Sequence, residues 1–237
     1  MQNRRSALTL LELLSIVVIV ATVTALGIHF LSSNSEEERW LACRRNLKKL
    51  AEGMAIYNNP YGDNRFYPWP AGRAGCGGTE SPDAADFGGA EWLASLYWTR
   101  VIPDPGVYLC PSSGDSNADG RDLGDEGCCG PGFEAGSDGK LKPDAVSYAA
   151  MAATSVAVYE SKKLGKEPRD SKIAIRDDMP PNEPMMCDDT EGTINHGRKG
   201  NAGMNVLFFD SHVEFWPSDK VDLERGVGQG KLVHLRN

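Results

Sequence analysis

The stretch RRSALTLLELLSIVVIVATVTALGIHFLSS, residues 4–33, decides the fold of this chain. After its two arginines, the only charged side chain in the stretch is Glu12. Residues 8–31 are long enough to cross a bilayer as a helix, because a spanning helix needs about 20 mostly apolar residues. Three glutamates at 36–38 follow the segment. Positive charge before the segment and none directly after it predicts a cytoplasmic N-terminus, with the rest of the chain on the other side.

The helical pattern continues past the apolar segment. Apolar residues recur at intervals of three and four, as one face of an α-helix requires, at Trp40, Cys43, Leu47, Leu50, Met54 and Tyr57. Pro60 is the first proline and predicts the end of the helix. The small residues ATVTA at 21–25 allow a second interpretation, a cleaved secretory signal peptide. A signal peptide gives no reason for the helical pattern to continue, so we expect one helix over residues 8–57.

Glu12 requires an explanation, because an ionisable side chain at the centre of a membrane helix costs about 2.5–3.5 kcal/mol and usually has a partner. Either the carboxylate reaches the headgroups or another subunit supplies the opposite charge. The stretch ALTLLELLSIVVIVATVTAL resembles the N-terminus of type IV pilins and type II secretion pseudopilins. The resemblance implies cleavage by a prepilin peptidase between Ala7 and Leu8 and N-methylation of Leu8. It also implies that Glu12 pairs with the N-terminal amine of a neighbouring subunit. Ala7 replaces the usual Gly, and Leu8 the usual Phe.

Later segments resemble the planctomycete-type group of pilin-like proteins. They are CRRNLKKLAEGMAIYNNPYGDNRFYPW, YLCPSS, VSYAAM and NHGRKGNAGMNVLFFDSHVEFW. In the last of these, Ser211 stands where the group usually has Gly. NVLFF and HVEFW predict two strands joined by a two-residue turn at Asp210 and Ser211.

Together these features predict an α+β, pilin-like fold. A long N-terminal helix with a membrane-inserting first half would pack on a small antiparallel sheet with long loops. The predicted organisation is a leader at 1–7, a helix at 8–57 with its transmembrane half at 8–31, a head at 58–217 and a C-terminal tail at 218–237. A short helix is expected near 90–96. GVYLC, AVSYAAMAATSVAVY and KIAIR are candidate strands or short helices.

Charge and cysteine content limit the functions available. The formal net charge is −8, from 25 Lys and Arg against 33 Asp and Glu, which argues against nucleic-acid binding. Outside the cytoplasm the six cysteines can form disulfides, and six cysteines allow 15 pairings. Cys43 fits the apolar helix face as a small core residue. The disulfide candidates are therefore Cys76, Cys110, Cys128, Cys129 and Cys187.

The segment DSNADGRDLGDE, residues 115–126, matches the calcium-loop pattern D-x-[DN]-x-[DN]-G-x5-E. No helices are predicted on either side of it, and an acidic surface loop would have a similar composition. The ligands would be the side chains of Asp115, Asn117, Asp119 and Glu126, with the carbonyl oxygen of Arg121. Some pseudopilins resemble this arrangement in using Ca²⁺ to hold a loop near the sheet.

A second group, His196, Asp210 and His212, could hold a catalytic metal with Asp188 or Asp189. However, Asp210 is expected for turn formation alone, and no general base is identifiable. The sequence also lacks a glycine-rich phosphate loop and a G-x-S-x-G motif. We therefore expect a protein without enzymatic activity, and a secreted metal-dependent hydrolase remains a less favoured alternative.

The function expected from these residues is that of a structural subunit in a type IV pilus-like filament or a type II secretion pseudopilus. Its partners would be the prepilin peptidase, the bacterial inner membrane and other pilin-like subunits. The subunit would begin as a single-pass inner-membrane protein and end in a periplasmic or cell-surface filament. A membrane-anchored binding or adhesion protein that never polymerises is the main alternative.

Overall fold

The computed structural model describes most of the predicted helix and most of the head. The chain forms two compact units, Met1–Glu38 and Arg39–Asn237. For residues 25–35 only the backbone is described. The described ranges are 10–59, 64–65, 67–69, 87–124, 141–153, 174–188, 195–197, 202–222 and 225–236.

One α-helix, α1, occupies Leu10–Asn58, close to the predicted bounds of 8–57. Its end just before Pro60 follows from proline's inability to continue a helix. Among the described residues, no helix combines the length and the hydropathy needed to cross a bilayer.

The predicted apolar face of α1 lies in the core of the head. From residue 43 onward, the side chains of this face are fully buried; they are Cys43, Leu47, Leu50, Met54 and Tyr57. Trp40 is only partly buried, and its ring meets the edge of Phe215 at a centroid distance of 5.4 Å. The three-and-four spacing is thus confirmed as the packing face of the helix.

The head is built on an antiparallel sheet of five strands in the order β4-β3-β2-β1-β5. The strands are β1 Tyr148–Met151, β2 Pro184–Asp188, β3 Gly203–Phe208, β4 Val213–Pro217 and β5 Leu235–Arg236. A second helix, α2 Gly89–Trp98, covers the predicted short helix and is almost entirely buried. The fold is therefore α+β with a small antiparallel sheet.

The hairpin of β3 and β4 is confirmed, with Leu207 opposite Val213, but its turn differs from the prediction. Phe208 N–H donates to the carbonyl of His212 at 3.0 Å, which leaves three residues, 209–211, in the loop. Ser211 adopts a positive φ of 67°. A three-residue hairpin loop places its last residue in the left-handed region, so Ser can replace the usual Gly at some cost in strain.

The C-terminal segment predicted as a tail is part of the head. Leu235–Arg236 forms β5 and pairs with β1 at one edge of the sheet. Among the described residues of this segment, four apolar side chains are buried, namely Val221, Val227, Leu232 and Leu235. A two-residue strand is too short to give an alternating pattern, so the sequence carries no local signal for this pairing with β1.

Candidate functional site

Four side chains that can act as metal ligands meet inside the unit Arg39–Asn237. Cys43, Cys110, Asp188 and His196 each place one sulfur, nitrogen or oxygen ligand atom within 4.8 Å of the others. All four side chains are buried, with at most 2% of their surface exposed. We call these residues the Cys–His–Asp cluster.

Cys43 and Cys110 are brought together by contacts between α1 and the segment before Cys110. A 3₁₀ helix, Pro105–Tyr108, begins where Asp104 accepts a hydrogen bond from Gly106 N–H at 3.0 Å. Asn46, one turn after Cys43, donates its side-chain amide to the carbonyl of Leu109 at 3.0 Å. This hydrogen bond holds the residue before Cys110 against the helix.

Asp188 and His196 are positioned by the sheet. Asp188 is the last residue of β2. His196 forms an isolated bridge with Gly203, the first residue of β3, and its carbonyl accepts from Gly203 N–H at 3.3 Å. Since β2 and β3 are neighbours, the end of one and the start of the other place the two side chains together.

Cys43 and Cys110 form a disulfide with a Cα–Cα distance of 5.1 Å and a sequence separation of 67. Closing a loop of that size stabilises the fold by about 4 kcal/mol in the chain-entropy estimate. The sequence favours Cys43 as a small core residue and leaves it out of the disulfide candidates, so the partner of Cys110 differs from the prediction. Cys187, a disulfide candidate, is buried and is not disulfide-bonded to another cysteine of the described part of the chain. The candidates Cys76, Cys128 and Cys129 lie outside the described residues.

His196 uses one ring nitrogen toward two partners. Its Nε2 lies 3.0 Å from Asp188 Oδ2 and 3.4 Å from Cys110 Sγ. A catalytic Cys–His–Asp triad needs one ring nitrogen toward the nucleophile and the other toward the acid. The shared nitrogen and the burial of all members do not fit nucleophilic catalysis.

The two oxygens of Asp188 have different surroundings. Oδ2 accepts hydrogen bonds from the backbone N–H and the side-chain amide of Asn205, both at 2.9 Å, in addition to its contact with His196. Oδ1 is buried without a hydrogen-bond partner among the described residues. A buried oxygen in that state is uncommon in proteins and calls for a specific explanation.

Tyr148 lies near the cluster and is neutral. Its hydroxyl donates to the carbonyl of Leu109 at 3.2 Å. Burial, and secondarily the negative charge of Asp188, raise the pKa of Tyr148 well above its usual value, while a hydrogen bond with Asn46 lowers it. Tyr148 therefore acts as a hydrogen-bond donor here and offers no base.

Comparison of the chain with protein-family models, with curated proteins and with solved structures gave no match.

The predicted group of His196, Asp210 and His212 does not come together as one metal site. Asp210 and His212 are exposed on the hairpin loop and contact each other through Oδ1 and Nδ1. The His212 ring also stacks on Phe208 at 4.3 Å. A hydrogen bond from His212 backbone N–H is the main cause that lowers the pKa of Asp210. These contacts are those of a turn. Of the predicted group, His196 lies beside Asp188 instead, and Asp189 lies outside the described residues.

The predicted calcium loop is described up to Gly124, so Glu126 lies outside the described residues. Asn117 is buried, and its amide donates to the carbonyl of Pro105 at 2.7 Å. Asp119 is exposed and has a positive φ of 56°, directly before Gly120 at 94°. The side chain of Asn117 thus ties the loop to the 3₁₀ helix, while Asp119 faces solvent. Asp115 is half-buried and Arg121 is exposed.

The predicted processing residues, Ala7 and Leu8, lie outside the described residues. Glu12 lies in the first turn of α1 and is exposed. The apolar side chains around it are exposed as well, among them Leu11, Leu13 and Leu14.

Proposed function

We propose that this chain is the structural subunit of a pilus-like or pseudopilus-like filament. The observation that carries the proposal is the difference between the two parts of α1. From Cys43 to Tyr57 its apolar face is buried in the head. Between Leu11 and Val23, in contrast, nine large apolar side chains are exposed.

Residues 16–20, in the middle of the exposed part, are apolar on every face of the helix. The five consecutive residues 16–20 are Ile, Val, Val, Ile and Val, each 50–60% exposed. Five residues make more than one full turn at 3.6 residues per turn, so no polar face remains. A helix of this kind is stable only where apolar groups surround it, in lipid or among other helices.

The hydroxyl groups in this part of α1 are satisfied within the helix. Ser15 donates to the carbonyl of Glu12 at 2.8 Å, Thr22 to that of Ile19 at 2.8 Å and Thr24 to that of Val20 at 2.7 Å. Hydroxyls bonded back to their own helix need no water. The segment can therefore exchange a lipid environment for a bundle of identical helices without losing hydrogen bonds.

The head carries a feature suited to the outside of the cytoplasm. Disulfides persist in oxidising compartments, and the bond between Cys43 and Cys110 joins α1 covalently to the head. In a filament this link would keep the helix attached to the head when the assembly is pulled.

Glu12 supplies the recognition element in this proposal. In a core of apolar helices a carboxylate is strongly unfavourable without a positive partner. The N-terminal amine of an adjacent mature subunit would supply that charge after removal of residues 1–7, and would fix the stagger between subunits.

Assembly of a Glu12→Gln variant in the native cell tests the proposal, with Glu52→Gln as the matched control. Glu52 is an exposed glutamate on the same helix. Filaments sheared from the cells are sedimented and quantified with an antibody to the head, and the N-terminal peptide is weighed by mass spectrometry. We expect filaments from wild type and Glu52→Gln, none from Glu12→Gln, and N-methylated Leu8 as the first residue.

Three results would count against the proposal. Equal filament yield from Glu12→Gln and wild type would remove the role of Glu12 in assembly. Membrane-bound chains with no sedimentable polymer in any variant would support the non-polymerising anchor, and a mature start near Leu26 would support a secreted protein.

A further inference from the structure

We propose that the Cys–His–Asp cluster, with Cys43 and Cys110 reduced, binds Zn²⁺ or a similar thiolate-preferring divalent cation. Cys43 and Cys110 would then be linked either by their disulfide or by a shared metal ion. The inference depends only on the unit Arg39–Asn237, which holds all four residues, and makes no use of filament assembly.

The donor set fits zinc. Two thiolate sulfurs, one imidazole nitrogen and one carboxylate oxygen give the four ligands of a tetrahedral zinc site. Soft sulfur ligands disfavour Ca²⁺ and Mg²⁺, which prefer oxygen. This site is thus chemically distinct from the oxygen-rich loop at 115–126.

The spacing requires little movement. Zinc bonds of about 2.0–2.3 Å place tetrahedral ligand atoms about 3.3–3.8 Å apart. The four ligand atoms here already lie within 4.8 Å of one another. Small side-chain shifts, rather than a new backbone path, would complete the coordination sphere.

The carboxylate is already oriented by its neighbours. Asn205 holds Oδ2 of Asp188 with two donors, whereas Oδ1 has no hydrogen-bond partner among the described residues. Oδ1 can thus serve as the metal ligand while Asn205 keeps its hydrogen bonds. Such outer partners are a regular feature of metal sites. Complete burial of the cluster corresponds to a closed structural site, with no open position for substrate.

The oxidation state of Cys43 and Cys110 decides whether the disulfide or the metal site forms. In the disulfide neither sulfur carries the negative charge that a metal ligand needs. Reduction by a water-soluble trialkylphosphine consumes one water, converts the phosphine to its oxide and leaves two thiols. Metal binding then releases both thiol protons. Binding should therefore occur in the reduced chain and not in the oxidised one.

The test uses the full chain in detergent, titrated anaerobically with Co²⁺ after removal of the phosphine. We expect about one equivalent of Co²⁺ in a tetrahedral site with a thiolate charge-transfer band, displaced by Zn²⁺. The oxidised chain should give no band. His196→Gln removes the imidazole ligand and Asp188→Asn replaces a charged oxygen ligand by a neutral one, so each should weaken binding by at least about 10-fold.

Two control variants separate this site from other metal ligands in the chain. The triple variant Cys76→Ser, Cys128→Ser, Cys129→Ser should keep the band, and so should His212→Gln. Unchanged affinity in His196→Gln would overturn the proposal, as would the absence of a band in a reduced chain with native circular dichroism.

A second measurement uses the wild-type chain alone, so its result does not depend on whether the variants fold. Zn²⁺ should protect Cys43 and Cys110 of the reduced chain from alkylation, as mapped by peptide mass. Protection confined to other cysteines, or no protection, would overturn the assignment.

Discussion

Asn205 donates two hydrogen bonds to a single oxygen of Asp188, one from its backbone N–H and one from its side-chain amide, both 2.9 Å long. The carboxylate at the end of β2 therefore accepts a backbone N–H of β3, as backbone carbonyls of β2 do elsewhere in this strand pair. The same oxygen lies 3.0 Å from His196 Nε2. One side chain thus joins two strands and the segment that carries His196.

Replacing Asp188 by Asn should destabilise the head by about 2–3 kcal/mol, because a buried acceptor of charge-assisted hydrogen bonds becomes a weaker neutral one. The measurement is chemical denaturation followed by circular dichroism under oxidising conditions, so that the disulfide is present throughout. Asp210→Asn serves as the control, since Asp210 is exposed beside His212 and should give a much smaller loss. Equal losses in the two variants would show that the double hydrogen bond contributes little.

Gly203→Ala should destabilise the head by about 1–3 kcal/mol, as expected for overpacking. A Cβ at position 203 would overlap the ring of Phe215 and lie 2.6 Å from the carbonyl oxygen of Trp216. The carbonyl belongs to the paired strand β4 and cannot move away cheaply. Thermal unfolding of this variant and of Gly228→Ala provides the comparison.

Gly228→Ala is the matched control, because a Cβ at that position meets no atom within 4 Å. We expect no loss of stability there, or a small gain from reduced entropy of the unfolded chain. A Gly203→Ala melting temperature equal to that of wild type would mean that the hairpin relaxes around the extra methyl group.

The buried tyrosines should make the head sensitive to alkali. Burial is the main cause that raises the pKa of Tyr108 and Tyr148 well above 10. Below pH of about 10 both phenols are neutral whether the chain is folded or not. Above it the unfolded chain loses protons that the folded chain keeps, so stability falls as pH rises.

The expected slope is up to about 1.4 kcal/mol per tyrosine per pH unit. Denaturant titrations between about pH 9 and 11, with tyrosinate absorbance recorded in parallel, measure it. Tyr108→Phe should show a shallower slope than wild type. Tyrosinate absorbance that rises fully before any unfolding would contradict the prediction.

The calcium loop remains a prediction, and heat stability can test it. A site with Kd of about 10⁻⁴–10⁻³ M gains about 1.4–2.7 kcal/mol at about 10 mM Ca²⁺. We expect the melting temperature to rise with CaCl₂ and not with MgCl₂, and the rise to disappear in Asp119→Asn. Asp144→Asn, an exposed carboxylate outside the loop, is the control. An equal rise in Asp119→Asn would show that Ca²⁺ acts elsewhere.

The chain sequence alone determined the elements whose signal is local. The three-and-four spacing from Trp40 to Tyr57 predicted the buried face of α1, because helix periodicity is repeated within a few residues. The segments around 205–209 and 212–216 predicted the hairpin, because β-branched and aromatic residues within each short segment favour a strand. Its loop was predicted one residue too short, since loop length depends on the hydrogen bond between Phe208 and His212.

Only the tertiary structure decided the Cys–His–Asp cluster. Cys43 and Cys110 are 67 residues apart, and Cys110 and His196 are separated by 86 more. Cys43 also satisfies the apolar pattern of α1, so periodicity assigns it to the core and is silent about its partner. Local sequence fixes which face of an element is buried, but the contacts made by that face depend on how distant strands and helices pack together.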